Sequence, residues 1–228
     1  MIKLECASLK GLLECASFSI SEGNICAVLT ETDFERNLLL RVFTGLVRLD
    51  SGKIFIFDKD LSSISYAELN EIRKRMGVVL NDGGLVSNLK VWENLMLPFV
   101  YHTSRNRVAT TLSHQDMEEK MMNILSKIGY DDDLNILPGP LPTYKKRLLG
   151  LARAMLMEPD LIIYNSVFDG LSSDIRDKVL ETVNLFHRER KGRASLFLAT
   201  SESSIEDIKA DSIHILKNGS ITRRGYDS

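Results

Sequence analysis

The residues that bear most directly on chemistry lie between Leu29 and Leu46, where an apolar run passes into a helical pattern. The amino-terminal end of a helix is electropositive, and its free N–H groups can bind a phosphate. This segment instead carries the carboxylates of Glu31, Asp33 and Glu35. A carboxylate about 5 Å from a phosphate charge is repelled by roughly 3 kcal/mol at an effective dielectric constant near 20. The acids therefore disfavour a phosphate, and we expect Asp33 and Glu35 to cap the helix themselves.

The overall composition is that of an ordinary water-soluble protein. Of 228 residues, 44% are hydrophobic and 26% are charged, which suffices for one domain or for one domain with an inserted lobe. The formal net charge of -2 gives no general attraction to nucleic acid or to anionic lipid. The basic run from Arg188 to Arg193 is interrupted by an acid and a glycine, so we interpret it as an exposed helix end, with a binding patch as the alternative.

The cysteines and the apolar runs indicate a cellular compartment. Cys6, Cys15 and Cys26 are odd in number, have no C-x-x-C spacing and have no histidine nearby, which argues against a disulfide framework and against a zinc site. We expect buried thiols in a reducing compartment. The chain starts without a charged-then-apolar leader, and no apolar run reaches about 18 residues. A cytosolic protein is therefore predicted, one that reaches a membrane only through a partner.

The elements that must position these residues alternate between strand and helix. The runs "KLECASL" and "CASFSI" predict paired antiparallel strands near the amino terminus, whereas "NICAVLT", "DLIIYN" and "ASLFLAT" are typical of buried strands. Buried strands interleaved with helices indicate an α/β fold with a mostly parallel sheet. From about Lys90 to Leu137 the pattern is helical, which predicts an inserted helical lobe at 90–150 and a core of 1–89 with 151–228.

One face of the predicted lobe carries a stripe of large apolar side chains at helical spacing. We interpret this stripe as part of the core, and a docking groove is the alternative. Its members are Met117, Met121, Ile124, Leu125 and Ile128.

The order of elements resembles the ATP-binding subunit of ABC transporters over essentially the whole chain. The resemblance is carried by "AVLTETDFERNLLLRVFTGLVRLDSGKIFIFDKDL", "RMGVVLNDGGLVSNLKVWENLMLP", "LLGLARAMLMEPDLIIYNSVFDGL" and "ADSIHILKNGSI". It implies a single ABC ATPase-like domain over 1–228. The implied fold is a P-loop NTPase-like, mostly parallel sheet flanked by helices, with an antiparallel β subdomain at the amino terminus and the helical lobe as an insertion.

The resemblance also marks where a phosphate-binding loop would lie. Its glycine positions are Thr30, Asp33 and Glu35, its lysine position is Arg36, and the two positions that follow are Asn37 and Leu38. Glycines in such a loop let backbone N–H groups converge on the phosphates. Each other residue forced into a left-handed conformation costs about 1–2 kcal/mol. We therefore expect this loop to take a different shape.

The remaining catalytic positions implied by the resemblance are also altered. The Q-loop glutamine position is Asn81, the metal-binding aspartate position of Walker B is Asn165 and the general-base glutamate position is Ser166. The switch histidine position is Ser201, and the D-loop aspartate position is Ser172. An amide lacks the charge that favours Mg²⁺, and a serine hydroxyl does not deprotonate water at neutral pH. No catalytic residue and no metal site are expected.

The family's signature motif, which acts on the nucleotide of a partner subunit, is changed as well. Its positions are Leu141, Pro142, Thr143, Tyr144 and Lys145. Proline removes a backbone donor, and tyrosine places a ring where a glycine would let the backbone approach a phosphate. Both composite sites of a dimer would be damaged. The basic residues that begin at Lys145 are interpreted as a solvated helix start, with attraction of a phosphate as the alternative.

The segment after the Q-loop position resembles the surface where the family docks a membrane subunit. Large apolar residues there could line the docking groove or join the lobe to the sheet, and both readings stay open. They are Leu85, Trp92, Leu95, Leu97 and Phe99. The stretch "GGLVSNLKVWENLMLPFVYHT" further resembles ABC subunits of MCE-type lipid-trafficking systems.

These features predict a pseudo-ATPase: a subunit that keeps the fold and the docking surfaces and plays a structural or regulatory role in transport, with lipid as a candidate cargo. No ATP or Mg²⁺ is expected. The expected partners are an integral membrane permease and a second ABC subunit or a second copy, without nucleic acid, at the inner face of the membrane. One alternative is an active ATPase in which Arg36 replaces lysine while Asn165 and Asp169 hold Mg²⁺. The other is a soluble regulator without a membrane partner.

Overall fold

The computed structural model describes residues 1–105 and 114–225, and it describes side chains for 1–100 and 115–225. The chain divides into two compact units. The first comprises Met1–Met76, Asp160–Ser166 and Arg190–Ser228, and the second comprises Gly77–Pro159 and Val167–Glu189. The predicted subdivision at 89/90 and 150/151 stays a prediction.

The first unit contains the antiparallel sheet expected at the amino terminus. Its strand order is β2-β1-β4-β5. The strands are β1 Ile2–Leu9, β2 Leu13–Ile20, β4 Ser51–Ile56 and β5 Lys59–Asp60. Along β2 the buried positions include Leu13, Ala16, Phe18 and Ile20, with exposed residues between them, which is the alternation of a sheet with one face in the core.

A second sheet of the first unit runs in the order β10-β9-β3-β8-β7. Its strands are β3 Ile25–Leu29, β7 Leu161–Asn165, β8 Ala194–Ala199, β9 Ser212–Lys217 and β10 Ser220–Arg223. β3 pairs in parallel with β8 and β9, and β7 pairs in parallel with β8, whereas β10 is antiparallel to β9. Every residue of β7 and β8 is buried, as the continuous apolar runs predict for a parallel sheet.

The first unit also contains two helices, the first following β3 and the second following β5. They are α1 Asp33–Phe43 and α2 Tyr66–Lys74. α1 buries Leu39, Val42 and Phe43 completely, and the ring of Phe43 lies 5.5 Å from that of Phe18 on β2. This packing fixes α1, and with it the loop at its amino-terminal end.

The second unit is mainly helical. It begins in β6 Met76–Val79 and contains α3 Val91–Arg105, α4 His114–Lys127, α5 Thr143–Leu156 and α6 Ser173–Glu189. Between Lys90 and Leu137 the described residues form no strand, as predicted. The stripe on α4 belongs to the core at Met117, Met121, Leu125 and Ile128, and Ile124 is half-buried. No helix among the described residues combines the length and the apolar character needed to span a bilayer.

The prediction against a disulfide is wrong. Cys6 on β1 and Cys15 on β2 are joined by a disulfide, and both are exposed. The ladder between these strands shifts register on both sides of the Ala7–Ala16 pair, and both cysteines have positive φ angles, 43° and 49°. These bulges bring the two side chains together, an arrangement that cysteine spacing does not reveal. The buried thiol expected for Cys26 is confirmed, and its burial raises its pKa to about 11.

Candidate functional site

The amino-terminal end of α1 is closed by a capping box. Thr32 Oγ1 accepts a hydrogen bond from the Glu35 amide at 3.2 Å, and Glu35 Oε2 accepts from the amides of Glu31 and Thr32, each at 3.0 Å. The capping role predicted for Glu35 is confirmed. Two of the N–H groups that could have faced an anion are therefore bound by the chain's own carboxylate.

The loop between β3 and α1 is short. β3 ends at Leu29 and α1 begins at Asp33, so only residues 30–32 lie between them. None of Thr30, Asp33 and Glu35 has a positive φ, in keeping with the expectation that these residues would not adopt the left-handed conformations of a glycine loop. Glu31 also forms an ion pair with Lys217 at 3.3 Å, which ties the loop to the end of β9. No local sequence pattern indicates that contact, since 186 positions separate the two residues.

Arg36 is buried, with only 2% of its surface exposed. Its Nη1 donates to Asp33 Oδ1 at 2.6 Å, so Asp33 pairs with the guanidinium instead of capping the helix. Arg36 Nε has no partner among the described residues. The cation at the lysine position is thus neutralised by a carboxylate in the first turn of the same helix.

The carboxyl-terminal end of β7 lies beside α1. Asn165 Nδ2 donates to Asn37 Oδ1 at 3.0 Å, which brings together two of the residues predicted for the site. Asn165 and Ser166 are buried, and Ser166 has a positive φ of 52°. Asn165 Oδ1 and Ser166 Oγ have no hydrogen-bond partner among the described residues. This end of the strand therefore offers an amide oxygen and a hydroxyl, and no carboxylate.

Ser201 takes part in a different arrangement. It is exposed, and its hydroxyl lies 3.1 Å from that of Ser203 and 2.8 Å from that of Ser204. In the part of the chain that the structure describes, no group of three or more histidine, cysteine, aspartate or glutamate residues could hold a metal ion.

In the second unit, the backbone of Asn81, at the Q-loop position, is held by an arginine side chain. The carbonyl of Asn81 accepts a hydrogen bond from Arg147 Nε at 2.9 Å, and the buried guanidinium of Arg147 also donates to the carbonyl of Asp169. Arg153 Nη2 donates to the carbonyl of Gly83 at 3.1 Å. Sequence reasoning missed these contacts, because neither arginine matched an expected site position.

The signature positions begin α5 without a side-chain cap. Pro142 is the N-cap residue and forms no side-chain hydrogen bond, and Leu141 is buried. Lys145 Nζ donates to both carboxylate oxygens of Asp132, at 2.7 and 2.6 Å, and this hydrogen bonding raises the pKa of Lys145. Lys146 Nζ donates to the carbonyl of Gly139 at 3.1 Å. The interpretation of this segment as a solvated helix start is wrong, because Lys145 and Lys146 are half-buried, Arg147 is buried, and all three donate to groups of their own unit.

The predicted docking residues separate by exposure. Leu95 and Phe99 are buried, Leu85 is half-buried, and 37% of Trp92 and 38% of Leu97 are exposed. Trp92 and Leu97 are therefore available to a partner, and docking stays a prediction.

Asn94, which sequence reasoning missed, organises the start of the same helix. Its buried side chain accepts from the Val86 amide and donates to the carbonyls of Val86, Leu89 and Lys90.

Replacing Glu35 with alanine is expected to destabilise the protein by about 1 kcal/mol, because the amides of Glu31 and Thr32 lose their acceptor. Thermal unfolding followed by circular dichroism measures the change. Glu35→Gln keeps an acceptor oxygen and should retain most of the stability. Glu118→Ala, at an exposed position of α4, is the matched control. A loss for Glu35→Ala no larger than for Glu118→Ala would contradict the capping role.

Comparison with known proteins places this geometry in context. The family model described as ABC transporter matches residues 13–166. The methionine import ATP-binding protein MetN of Rhodopseudomonas palustris (strain BisA53) is 24% identical over 213 residues, which cover 93% of this chain and 55% of that protein. The phosphonates import ATP-binding protein PhnC of Fusobacterium nucleatum is 26% identical over 213 residues, covering 93% of this chain and 85% of that protein. The chain spans between half and two thirds of the length of the MetN relatives it matches.

Solved structures agree on the fold. The dimeric ATP-binding cassette MJ0796, bound to ADP and Pi in a post-hydrolysis state, aligns with a TM-score of 0.83 at 19% identity and covers 99% of this chain and 100% of that chain. The cbiO1 protein of Clostridium perfringens, described as part of the ABC transporter complex cbiONQ, aligns with a TM-score of 0.76 at 19% identity, covering 97% and 86%. The predicted α/β, P-loop NTPase-like fold is confirmed. With its family model matched over 13–166, this chain belongs to the ABC transporter family.

Proposed function

We propose that this chain is an ABC-type transport subunit whose own nucleotide site is closed, and that it serves a membrane permease in a structural or regulatory role. The observation that carries this proposal is the carboxylate of Glu35, which accepts the amide hydrogens of Glu31 and Thr32. An intramolecular anion occupies donors that a phosphate would need.

The charges of the loop add to this effect. A phosphate about 5 Å from one of these carboxylates would meet a repulsion of roughly 3 kcal/mol at an effective dielectric constant near 20, before screening by salt. Arg36 is the cation best placed to offset it, and its Nη1 is already bound to Asp33. At the end of β7, the amide of Asn165 is bound to Asn37 through its nitrogen and lacks the charge that favours Mg²⁺. The residues present do not fit a magnesium-bound triphosphate.

A second candidate is an active ATP-binding subunit, and the comparisons favour it. The matched relatives are named as ATP-binding proteins of methionine and phosphonate import. One structural observation also supports it, since a buried acceptor without a partner, Asn165 Oδ1, suits a ligand. In this alternative Arg36 leaves Asp33 and takes the role of lysine. When bound, ATP and Mg²⁺ would supply the phosphoryl group and the metal ion for ATP hydrolysis.

Thermal unfolding with and without magnesium ATP separates the two candidates. A ligand at a hundredfold excess over its dissociation constant stabilises a protein by about 2.7 kcal/mol. For a chain of this size that corresponds to a rise in melting temperature of about 5–10 °C. We expect no such rise, and none in magnesium chloride alone.

Two variants make the result interpretable. Asn165→Ala removes the buried acceptor, and Arg36→Met removes the cation while keeping an apolar side chain of similar length. A rise of several degrees in the wild type that either variant abolishes would establish nucleotide binding at this site and overturn the closed site, and steady-state ATP hydrolysis would then show whether the subunit is active.

The partners and the cargo follow from the same family. We propose docking on an integral membrane permease through the exposed Trp92 and Leu97, and assembly with a second ABC subunit or a second copy at the inner face of the membrane. The relatives are named as methionine import and phosphonates import proteins, which supports a small solute as the cargo class more than a lipid. The MCE-type sub-family therefore stays a prediction without support from these relatives. Co-purification with a polytopic membrane protein separates this proposal from a free-standing regulator.

A further inference from the structure

A small apolar pocket lies in the first unit, between the carboxyl-terminal end of α1, strand β4 and the amino-terminal end of α2. It encloses about 240 Å³. Its walls are mainly aliphatic: Val47, Leu49, Ile54, Leu61, Ile64 and Leu69. Ile54 is buried and the other five are half-buried, so the pocket has an apolar floor and an open mouth. None of the predicted nucleotide-site or docking residues lines it.

The walls are held in place by contacts within the unit. Arg73 on α2 donates to the carbonyls of Thr44 and Gly45 at the end of α1, each at 3.1 Å. A Cβ on Gly45 would lie 3.1 Å from Cδ1 of both Leu61 and Leu69, so these segments are closely packed. The pocket is thus formed before any ligand arrives, which reduces the ordering cost of binding.

The carboxylates around the pocket are already engaged. Asp60 accepts from the amide and hydroxyl of Ser62, and Glu68 accepts from the amide and hydroxyl of Ser65. These contacts lower the pKa of Asp60 and that of Glu68, with Ser62 and Ser65 as the main causes. Asp50, in the neighbouring turn, accepts from the amide of Lys10. The hydroxyl groups of Ser62 and Ser65 at the mouth donate hydrogen bonds to Asp60 and Glu68, so they are not free donors for a ligand.

One cation at the mouth remains available. Arg48 lines the pocket, is exposed, and has no hydrogen bond or ion pair with any other residue that the structure describes. The amino-terminal end of α2 also lies at the mouth, but its capping box of Ser65 and Glu68 closes it as the box of Thr32 and Glu35 closes α1, so the charge offered to a ligand is that of the Arg48 guanidinium. The site therefore combines an aliphatic cavity with one cationic side chain, that of Arg48, at its mouth.

We propose that this pocket binds a short, branched aliphatic carboxylic acid, with its hydrocarbon chain among the leucine and isoleucine side chains and its carboxylate on Arg48. A cavity of about 240 Å³ is smaller than the sites that hold drug-sized ligands, so it suits a short hydrocarbon chain. Arg48 supplies charge-assisted hydrogen bonds to the carboxylate. This binding site goes beyond the transport role and does not depend on it.

Titration of the full chain with isocaproate, followed in methyl NMR spectra, tests the site. We expect saturable shifts of the methyl signals of Leu61, Ile64 and Leu69, with a dissociation constant on the order of 1 mM. Arg48→Gln should weaken binding about tenfold, since the anion loses its charged partner. The neutral analogue isohexanol should bind the wild type about as weakly as isocaproate binds that variant. Arg188→Gln, an exposed arginine of the second unit, is the matched control and should leave the affinity unchanged.

Three outcomes would overturn the site. They are the absence of saturable shifts at the pocket methyls, equal affinities of isocaproate for the wild type and Arg48→Gln, or an equal loss in Arg188→Gln. Arg48 and Arg188 are both exposed, so neither variant is expected to impair folding.

Discussion

Gly83→Ala is expected to destabilise the second unit by about 3 kcal/mol or more, the largest effect predicted for this protein. Gly83 has a φ of +83°, and a Cβ built there would lie 2.1 Å from the carbonyl oxygen of Lys146 on α5. The opposing atom is backbone, so a rotamer change does not relieve the clash. Gly150 approaches the same loop, since its Cβ would lie 2.6 Å from the Gly83 carbonyl oxygen.

Urea unfolding followed by the fluorescence of Trp92 measures this effect, because that residue is the single tryptophan of the chain and lies in the second unit. Gly139→Ala is the matched control. A Cβ at Gly139 would meet nothing within 4 Å and no positive φ is involved, so a change within about 0.5 kcal/mol is expected. If the two variants unfold at the same urea concentration, the loop does not pack on α5 as described.

Arg147→Met is expected to destabilise the second unit by about 2–4 kcal/mol. The variant removes the hydrogen bonds that Arg147 donates to the Asn81 and Asp169 carbonyls, and a hydrogen bond from a charged donor contributes about 1.5–3 kcal/mol. The gain from no longer burying a charge offsets part of this cost. The same variant should free the Q-loop position from α5, because Arg147 Nε holds its carbonyl directly.

The same fluorescence experiment, combined with limited proteolysis at the loop of 80–84, measures both effects. Lys146→Met is the matched control, since it removes a neighbouring cation with a single bond to the Gly139 carbonyl, and a loss below about 1 kcal/mol is expected. Arg147→Lys restores the charge without the planar fork and should recover only part of the stability. Equal losses for the methionine variants of Arg147 and Lys146 would contradict the clamp.

The two arginine contacts bear on the proposed role. The positions that correspond to the Q-loop and to the signature helix are held together by Gly83, Arg147 and Arg153 within one unit. These contacts hold the loop at the Q-loop position against α5, and a loop held in one conformation is what we expect of a subunit that stabilises a permease. The closed end of α1 in the first unit points to the same role independently.

Much of the site was accessible from the sequence. Thr32 and Glu35 have the T-x-x-E spacing of a capping box, so local chemistry alone predicts an occupied helix end. The absence of a carboxylate at Asn165 and Ser166 is likewise a matter of residue identity. The pairing of Asp33 with Arg36 was not predicted, because a carboxylate at the first turn can cap the helix or form an ion pair, and the rotamer decides between them.

The sequence by itself determined the order of buried strands and helices, since burial imposes a period of two on half-exposed strands, continuous apolar runs on covered strands, and a period of 3.6 on helices. Only the tertiary structure decided which distant groups meet. Asn37 and Asn165 are separated by 128 positions, and their hydrogen bond depends on how α1 packs beside β7. The Cys6–Cys15 disulfide depends on bulges in the ladder between β1 and β2. The hydrogen bond from Arg147 to the Asn81 carbonyl depends on where α5 packs in the second unit. Local patterns encode which face of an element is buried, whereas these contacts arise from the register and packing of elements far apart in the chain.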